Sequence, residues 1–173
     1  MKSYAGGSIE AFEILYERHR APLYRYVLRL AGNPTTANDL YQGCWEKIIK
    51  ARERYSDSAP FKAWMYRIAH NHLMDHFRRM RPESDFPVDE MASERVEPDE
   101  QFSIDARRQD LLAAIDALPQ EQKDSLLLKL ETGLNLQTIA EVTGVNPETT
   151  KSRLRYAVKR LKQILGDQGT HKG

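Results

Sequence analysis

The 173-residue sequence has a single cysteine, Cys44, so an intramolecular disulfide is excluded and no thiolate pair exists for a zinc site. The expected role of Cys44 is that of a small buried apolar residue. No run of about eighteen apolar residues occurs, and Met1–Gly7 lacks the basic-then-apolar layout of a secretory signal, so a cytoplasmic protein without membrane insertion is expected. Sustained alternation of polar and β-branched residues is also missing, which argues against sheet. An excess of charge is absent as well: the net charge is only +1, and that value alone would speak against binding to phosphates.

The charge total hides a segregation. Eight acidic residues and one basic residue lie between Pro82 and Glu100, whereas six basic and no acidic residues lie between Lys151 and Lys162. The acidic stretch also carries Pro82, Pro87 and Pro98 and few large apolar residues, a composition that opposes a packed core. It is expected to be a flexible linker, either a plain solvated spacer or a segment with a binding role. On both sides apolar residues recur three and four apart, so the expected fold is all-α, with two small helical domains, 1–81 and 101–173, joined by the acidic linker 82–100.

In the first domain the pattern predicts one helix from about Ser8, with Phe12 and Leu15 inward, and a second after Pro22, with Leu23, Val27 and Leu30 inward. Gly32-Asn33-Pro34 ends it. A third helix is expected to start at Thr36, capped by its hydroxyl with Asp39 three residues on, and a fourth to run from Phe61 to about Met80. The second domain is expected to hold helices from about Asp99 to Ala117, Gln120 to Glu131, Leu136 to Thr143, and Pro147 to Leu165, the last stopped by Gly166.

The span Leu136–Tyr156 has the layout of a helix-turn-helix. Ala140 allows close approach of the second helix, Gly144 can take a positive φ, Val145 enters the core, and Asn146 caps a helix whose first residue is Pro147. On a helical wheel Leu154, Ala157, Val158, Leu161, Ile164 and Leu165 form an apolar stripe. The opposite face carries Glu148, Thr149, Ser152, Arg155, Tyr156 and Lys159. Arg155 can fork onto a guanine edge and Ser152 can reach a base or phosphate, while Lys151, Arg153, Arg160 and Lys162 are spaced to hold phosphates. A solvated basic helix closing a bundle would show similar composition; the turn signature favours DNA.

On the predicted helix Phe61–Met80, Arg67, Asn71, Arg78 and Arg81 fall on one side and Phe61, Met65 and Ile68 on the other. Tyr55, Phe61, Trp64 and Tyr66 lie close in sequence, and aromatics beside arginines suit single-stranded nucleic acid, which needs stacking and phosphate neutralisation. His72 and His76, four apart with Asp75 between them, raise a metal site as an alternative. A metalloprotease would want Glu after the first histidine, where Leu73 stands, so packed histidines that find hydrogen-bond partners are the expectation, with Asp75 pairing to Arg78 or Arg79. No metal and no cofactor is expected.

The segments FKAWMYRIAHNHLMDHFRR (61–79) and LPQEQKDSLLLKLETGLNLQTIAEVTGVNPETTKSRLRYA (118–157) together resemble the extracytoplasmic-function (ECF) sigma factors of bacterial RNA polymerase, the smallest members of the primary sigma family. The resemblance implies a four-helix region 2 for clamp binding, minus-ten recognition and melting, and a region 4 for minus-thirty-five recognition. It assigns polymerase binding to Asn38, Asp39, Gln42, Trp45 and Glu46, melting and minus-ten contacts to Tyr55, Phe61, Trp64, Arg67, Asn71, Asp75, Arg78 and Arg79, and a flipped-base pocket to the loop 55–60. Minus-thirty-five contacts fall to Glu148, Thr149, Lys151, Ser152, Arg153, Arg155, Tyr156 and Lys159. Implied partners are core RNA polymerase, through its β′ clamp coiled coil and β flap, promoter DNA, and an anti-sigma factor; implied regulation is of a stress- or envelope-responsive regulon. The linker's acidity would suit mimicry of a nucleic-acid backbone in the polymerase.

Two departures from that family pattern stand out: Tyr156 where many members carry Arg, and Asn135 where Ser often caps. Asparagine caps equally well. The rival readings are a stand-alone helix-turn-helix regulator, which would bind duplex tightly without polymerase, and a metal-dependent hydrolase around His72, Asp75 and His76. No nucleophile paired with a base, phosphate loop or metal cluster is legible, so no enzyme is expected. The sequence leaves open the promoter, the signal, the anti-sigma factor and how the two domains sit together.

Overall fold

The computed structural model describes residues 6–56, 58–81 and 103–170, with side chains excepted at 103 and 167–170. The linker and the predicted start of the fifth helix therefore lie outside the described residues. Helix α1 spans Ile9–Ala31, α2 Pro34–Lys50, a short 3-10 turn Arg52–Arg54, α3 Phe61–Met80, α4 Ser103–Asp116, α5 Gln120–Thr132, α6 Leu136–Thr143 and α7 Pro147–Thr170. No strand occurs among them.

Helix α1 overturns the expected break at Pro22, since one helix runs through it. An internal proline removes a backbone hydrogen bond and costs about 3 kcal/mol. The compensation is a continuous buried stripe on both sides of the proline: Leu15, His19, Leu23, Tyr26, Val27 and Leu30. Two separate helices would have to break that stripe. Gly32 closes α1 in the left-handed conformation, as expected.

Helix α2 starts two residues earlier than expected. Asn33 is the cap, its side chain accepting from Thr36 N at 2.9 Å, and Pro34 fills the first turn, where its missing N–H has no intrahelical partner to lose. Thr36 is thus the donor to the cap. At the other end of the chain, α7 continues past Gly166 to Thr170, because a glycine weakens a helix without ending it unless the backbone turns left-handed.

Cys44 is buried as expected, in a core shared with Trp45, Ile48, Met65 and Leu73. Three consecutive residues of α5, Leu126, Leu127 and Leu128, are buried. A helix hides consecutive residues only when it is covered on several sides, and α5 is contacted by α1, α6 and α7.

The contact of α5 with α1, and of α6 with α3, joins the two halves into one core. Polar contacts cross the seam. Tyr26 donates to Asp124 Oδ1 at 2.6 Å, and His70 Nδ1 lies 2.9 Å from Asp124 Oδ2, an ion-pair distance without hydrogen-bond alignment. Arg25 pairs with Glu131 at 2.9 Å, Arg29 with Asp116 at 3.2 Å, and Lys62 Nζ donates to the Thr132 carbonyl at 3.0 Å.

Candidate nucleic-acid interface

The turn between α6 and α7 forms as its residues dictate. Asn135 caps α6 by accepting from Thr138 N at 2.8 Å, Gly144 takes φ 72°, and Asn146 caps α7 by accepting from Thr149 N at 2.7 Å. Ile139, Ala140, Val142 and Ala157 are buried beneath them. Thr150 is fully buried, holding the back of α7 where the wheel marked no inward residue; its hydroxyl donates to the Asn146 carbonyl.

These anchors leave Glu148, Lys151, Arg155, Tyr156 and Lys159 exposed, and Thr149, Ser152 and Arg153 half-buried. The guanidinium of Arg155 sits 5.2 Å from the Tyr156 ring centre, so the aromatic that departs from the family pattern steadies the neighbouring fork. Val158 belongs with this outer surface and not with the apolar stripe, being 44% exposed, because no neighbouring helix covers its angle on α7.

On α3 the spacing argument separates two sides. Met65, Tyr66, Ala69, His70 and Leu73 are buried, while Arg67, Asn71, Asp75, Arg78, Arg79 and Arg81 are exposed. Asp75 accepts from Arg78 Nη2 at 2.5 Å, and Arg79 Nε donates to the Asp75 carbonyl at 3.2 Å. The ion pair fixes the direction of one cation and leaves the other charges in water. Beside this side, Tyr55, Phe61 and Trp64 form a half-buried aromatic cluster, with centroid separations of 6.3 Å for Tyr55–Phe61, 5.3 Å for Tyr55–Trp64 and 5.7 Å for Phe61–Trp64. Tyr66 is not part of it; it lies in the core, edge-on to Tyr26 at 5.4 Å.

On α2, Asn38, Asp39, Gln42 and Glu46 form an exposed polar ridge, with Gln42 donating to Glu46 at 3.3 Å. Trp45 departs from this set. It is 6% exposed and packs against Tyr16, Phe12 and Tyr41, which makes it support for the ridge and not part of its surface.

Among the described residues no three His, Cys, Asp or Glu side chains converge as metal ligands. His72 is instead pressed onto α2. A Cβ at Gly43 would lie 2.4 Å from His72 Nε2, so only glycine admits the ring. Its Nδ1 is buried without a hydrogen-bond partner, contrary to the expectation that packed histidines find one. Burial first, then Lys47 and Arg79, lowers its pKa.

A capped helix-turn-helix with an exposed basic face, joined to a helical domain with its own cationic and aromatic surface, defines a two-part DNA-binding protein. Residues 15–82 match sigma-70 region 2 and residues 108–161 match sigma-70 region 4. The ECF RNA polymerase sigma factor SigL of Mycobacterium tuberculosis is 33% identical over 161 residues, covering 90% of this chain and 89% of its own. RNA polymerase sigma factor CarQ of Myxococcus xanthus is 25% identical over 167 residues, covering 96% of each chain. The structure of the sigma factor RpoE from Bartonella quintana, in complex with the anti-sigma factor NepR, has the same fold, with a TM-score of 0.74 at 24% identity over 91% of this chain and 98% of that one.

The chain belongs to the ECF sigma factors of RNA polymerase. The matched regions are those of the sigma-70 family at large, and that wider family replaces the primary group suggested by the sequence.

Proposed function

We propose that the chain grips a promoter at two points and delivers it to core RNA polymerase. Residues 101–173 place α7 in the major groove at the minus-thirty-five element, with Arg155 and Ser152 reading base edges and Lys151, Arg153 and Lys159 holding phosphates. Residues 1–81 act at the minus-ten element: Arg67, Asn71, Arg78 and Arg79 track the melted strand, and the Tyr55–Phe61–Trp64 cluster receives a flipped base. Flipping costs a few kcal/mol, which stacking on aromatics offsets. The acidic segment 82–100 links the two and lies along the polymerase.

The observation that carries this reading is the pairing of an aromatic cluster with exposed cations on α3, which a duplex-only regulator has no use for. Asn38, Asp39, Gln42 and Glu46 bind the β′ clamp coiled coil, region 4 meets the β flap, and bond formation is left to the polymerase. An anti-sigma factor in the cytoplasm is the expected restraint, in keeping with the NepR complex of the Bartonella relative. The regulon is one that answers stress or envelope damage.

Run-off transcription with core polymerase on fragmented genomic DNA tests the proposal. New discrete transcripts that depend on this chain are expected. Tight duplex binding without polymerase, and no new transcripts, would make it a stand-alone regulator.

A further inference from the structure

Helix α1 buries one residue that its apolar stripe does not call for. Leu15, Leu23, Val27 and Leu30 are apolar and the Tyr26 hydroxyl is hydrogen-bonded, but His19, 8% exposed, stands among them with neither ring nitrogen hydrogen-bonded among the described residues. A leucine would fill the position without stranding a polar group. Neither nitrogen is sealed off, in contrast to Nδ1 of His70 and of His72, so the little exposure that His19 keeps includes its polar edge.

The place of His19 gives that edge a use. Its ring centre lies 5.3 Å from that of Phe61, at 57° between the planes, and Phe61 belongs to the Tyr55–Phe61–Trp64 cluster. Those three rings are half-buried while His19 is nearly covered, so the imidazole lies on the core side of the cluster. The Tyr55 hydroxyl donates to the Ala59 carbonyl at 3.1 Å and ties the adjoining loop back on itself. Stacking walls hold any base, because every base has a π-face, and only a hydrogen bond to the base edge tells one from another. Among the rings of this cluster the one unpaired polar edge is contributed from α1.

Burial first, then Lys62 and Arg18, lowers the pKa of His19. The ring is therefore neutral at pH 7, with one N–H to donate and one nitrogen to accept. The same two cations make the site attractive to the electron-rich acceptor atoms of a base, so the N–H is the group that meets the edge.

We propose that His19 is a specificity-determining residue: from beneath Phe61 it donates to an acceptor atom on the edge of the base that the aromatic cluster captures, and so decides which base is taken. The assignment rests on the reading of that cluster as the site of a flipped base.

The test uses the full chain with core polymerase and DNA from a promoter found by run-off transcription, with the melted segment held unpaired and the sequence of its non-template strand randomised. Sequencing of the retained molecules reads the base preference at each unpaired position. The native chain should show a strong preference at one of them. His19→Phe keeps a ring against Phe61 and removes the N–H, so the preference at that position should fall by roughly 3- to 10-fold while the other positions keep theirs. His19→Gln retains a donor and should keep part of the preference. Trp64→Ala should instead lower retention of all four bases alike.

His19→Met, which also lacks a donor, should repeat the result of His19→Phe and guards against a folding fault in either; circular dichroism checks that each variant retains its helices. An unchanged preference in both variants, or an equal loss for all four bases, would make His19 a packing residue and overturn the proposal. Failure of polymerase carrying the native chain to retain any sequence would count against the sigma-factor reading, and the assignment would fall with it.

Discussion

The two halves of the molecule solve the same packing problem with different side chains. Residues 9–81 contain eleven Phe, Trp and Tyr residues, and residues 103–173 contain one, Tyr156. The aromatics of the first half divide between core, as with Tyr26 and Tyr66, and half-buried surface, as with Tyr55, Phe61 and Trp64. The second half is an aliphatic core beneath capped helices. On the function proposed above, the difference follows the form of nucleic acid each half would meet. An unpaired base offers a flat face to stack on, so aromatics are retained at the surface. A closed duplex offers hydrogen-bonding edges in a groove, so what matters is a rigid helix with forked and charged side chains.

The comparison breaks most visibly at the cores. Ile139→Ala, at a fully buried position beneath the turn, should cost about 2–5 kcal/mol in thermal or urea unfolding and abolish minus-thirty-five binding with it. Loss of DNA binding with full stability would show that α7 does not depend on this core for its position.

Trp64→Ala should weaken opening of the promoter by about 1–3 kcal/mol, the value of one stacked base, and Trp64→Phe should restore most of it. Permanganate reactivity of the melted strand reads this directly, and an unchanged affinity for a premelted template would contradict a stacking role. In the other half, Arg155→Ala should cost about 1–3 kcal/mol of discrimination at one base pair of the upstream element. An unchanged preference there would remove Arg155 from the reading face. Asp39→Ala with Gln42→Ala should weaken core-polymerase binding with helicity intact, since both side chains are exposed and neither caps α2.

The smallest effect is on pH. His19 and His72 both have lowered pKa values, first through burial and then through neighbouring cations, Lys62 for His19 and Lys47 for His72. Below about pH 6.5 the unfolded chain takes up protons that the folded chain resists, so stability falls as pH drops through that value toward their lower folded pKa values. His72→Gln should flatten the slope between pH 7 and 5 in denaturant titrations; an unchanged slope would assign it elsewhere.

Much of this was legible beforehand for physical reasons. Caps and turns act within four residues, so Asn135, Gly144, Asn146 and Gly32 could be placed from their neighbours alone. Exposure on α3 followed from helical spacing. What failed depended on partners distant in sequence. Local rules break α1 at Pro22, and only the core that its stripe enters keeps it whole. The resemblance assigned Trp45 to the polymerase-binding surface, whereas α1 covers it with Phe12 and Tyr16. Asp124 did leave a trace, since it shares a helical face with Leu127 and Leu128, where a charge is out of place.

The sequence by itself determined the helices, the helix-turn-helix and the two-part architecture, because periodicity, capping and turn chemistry are short-range. Only the tertiary structure decided that α1 is continuous, that His72 is accommodated by Gly43, and that the halves close on Asp124. Each of those depends on groups brought together from far along the chain, where the burial of one side chain is set by another that sequence spacing cannot reach.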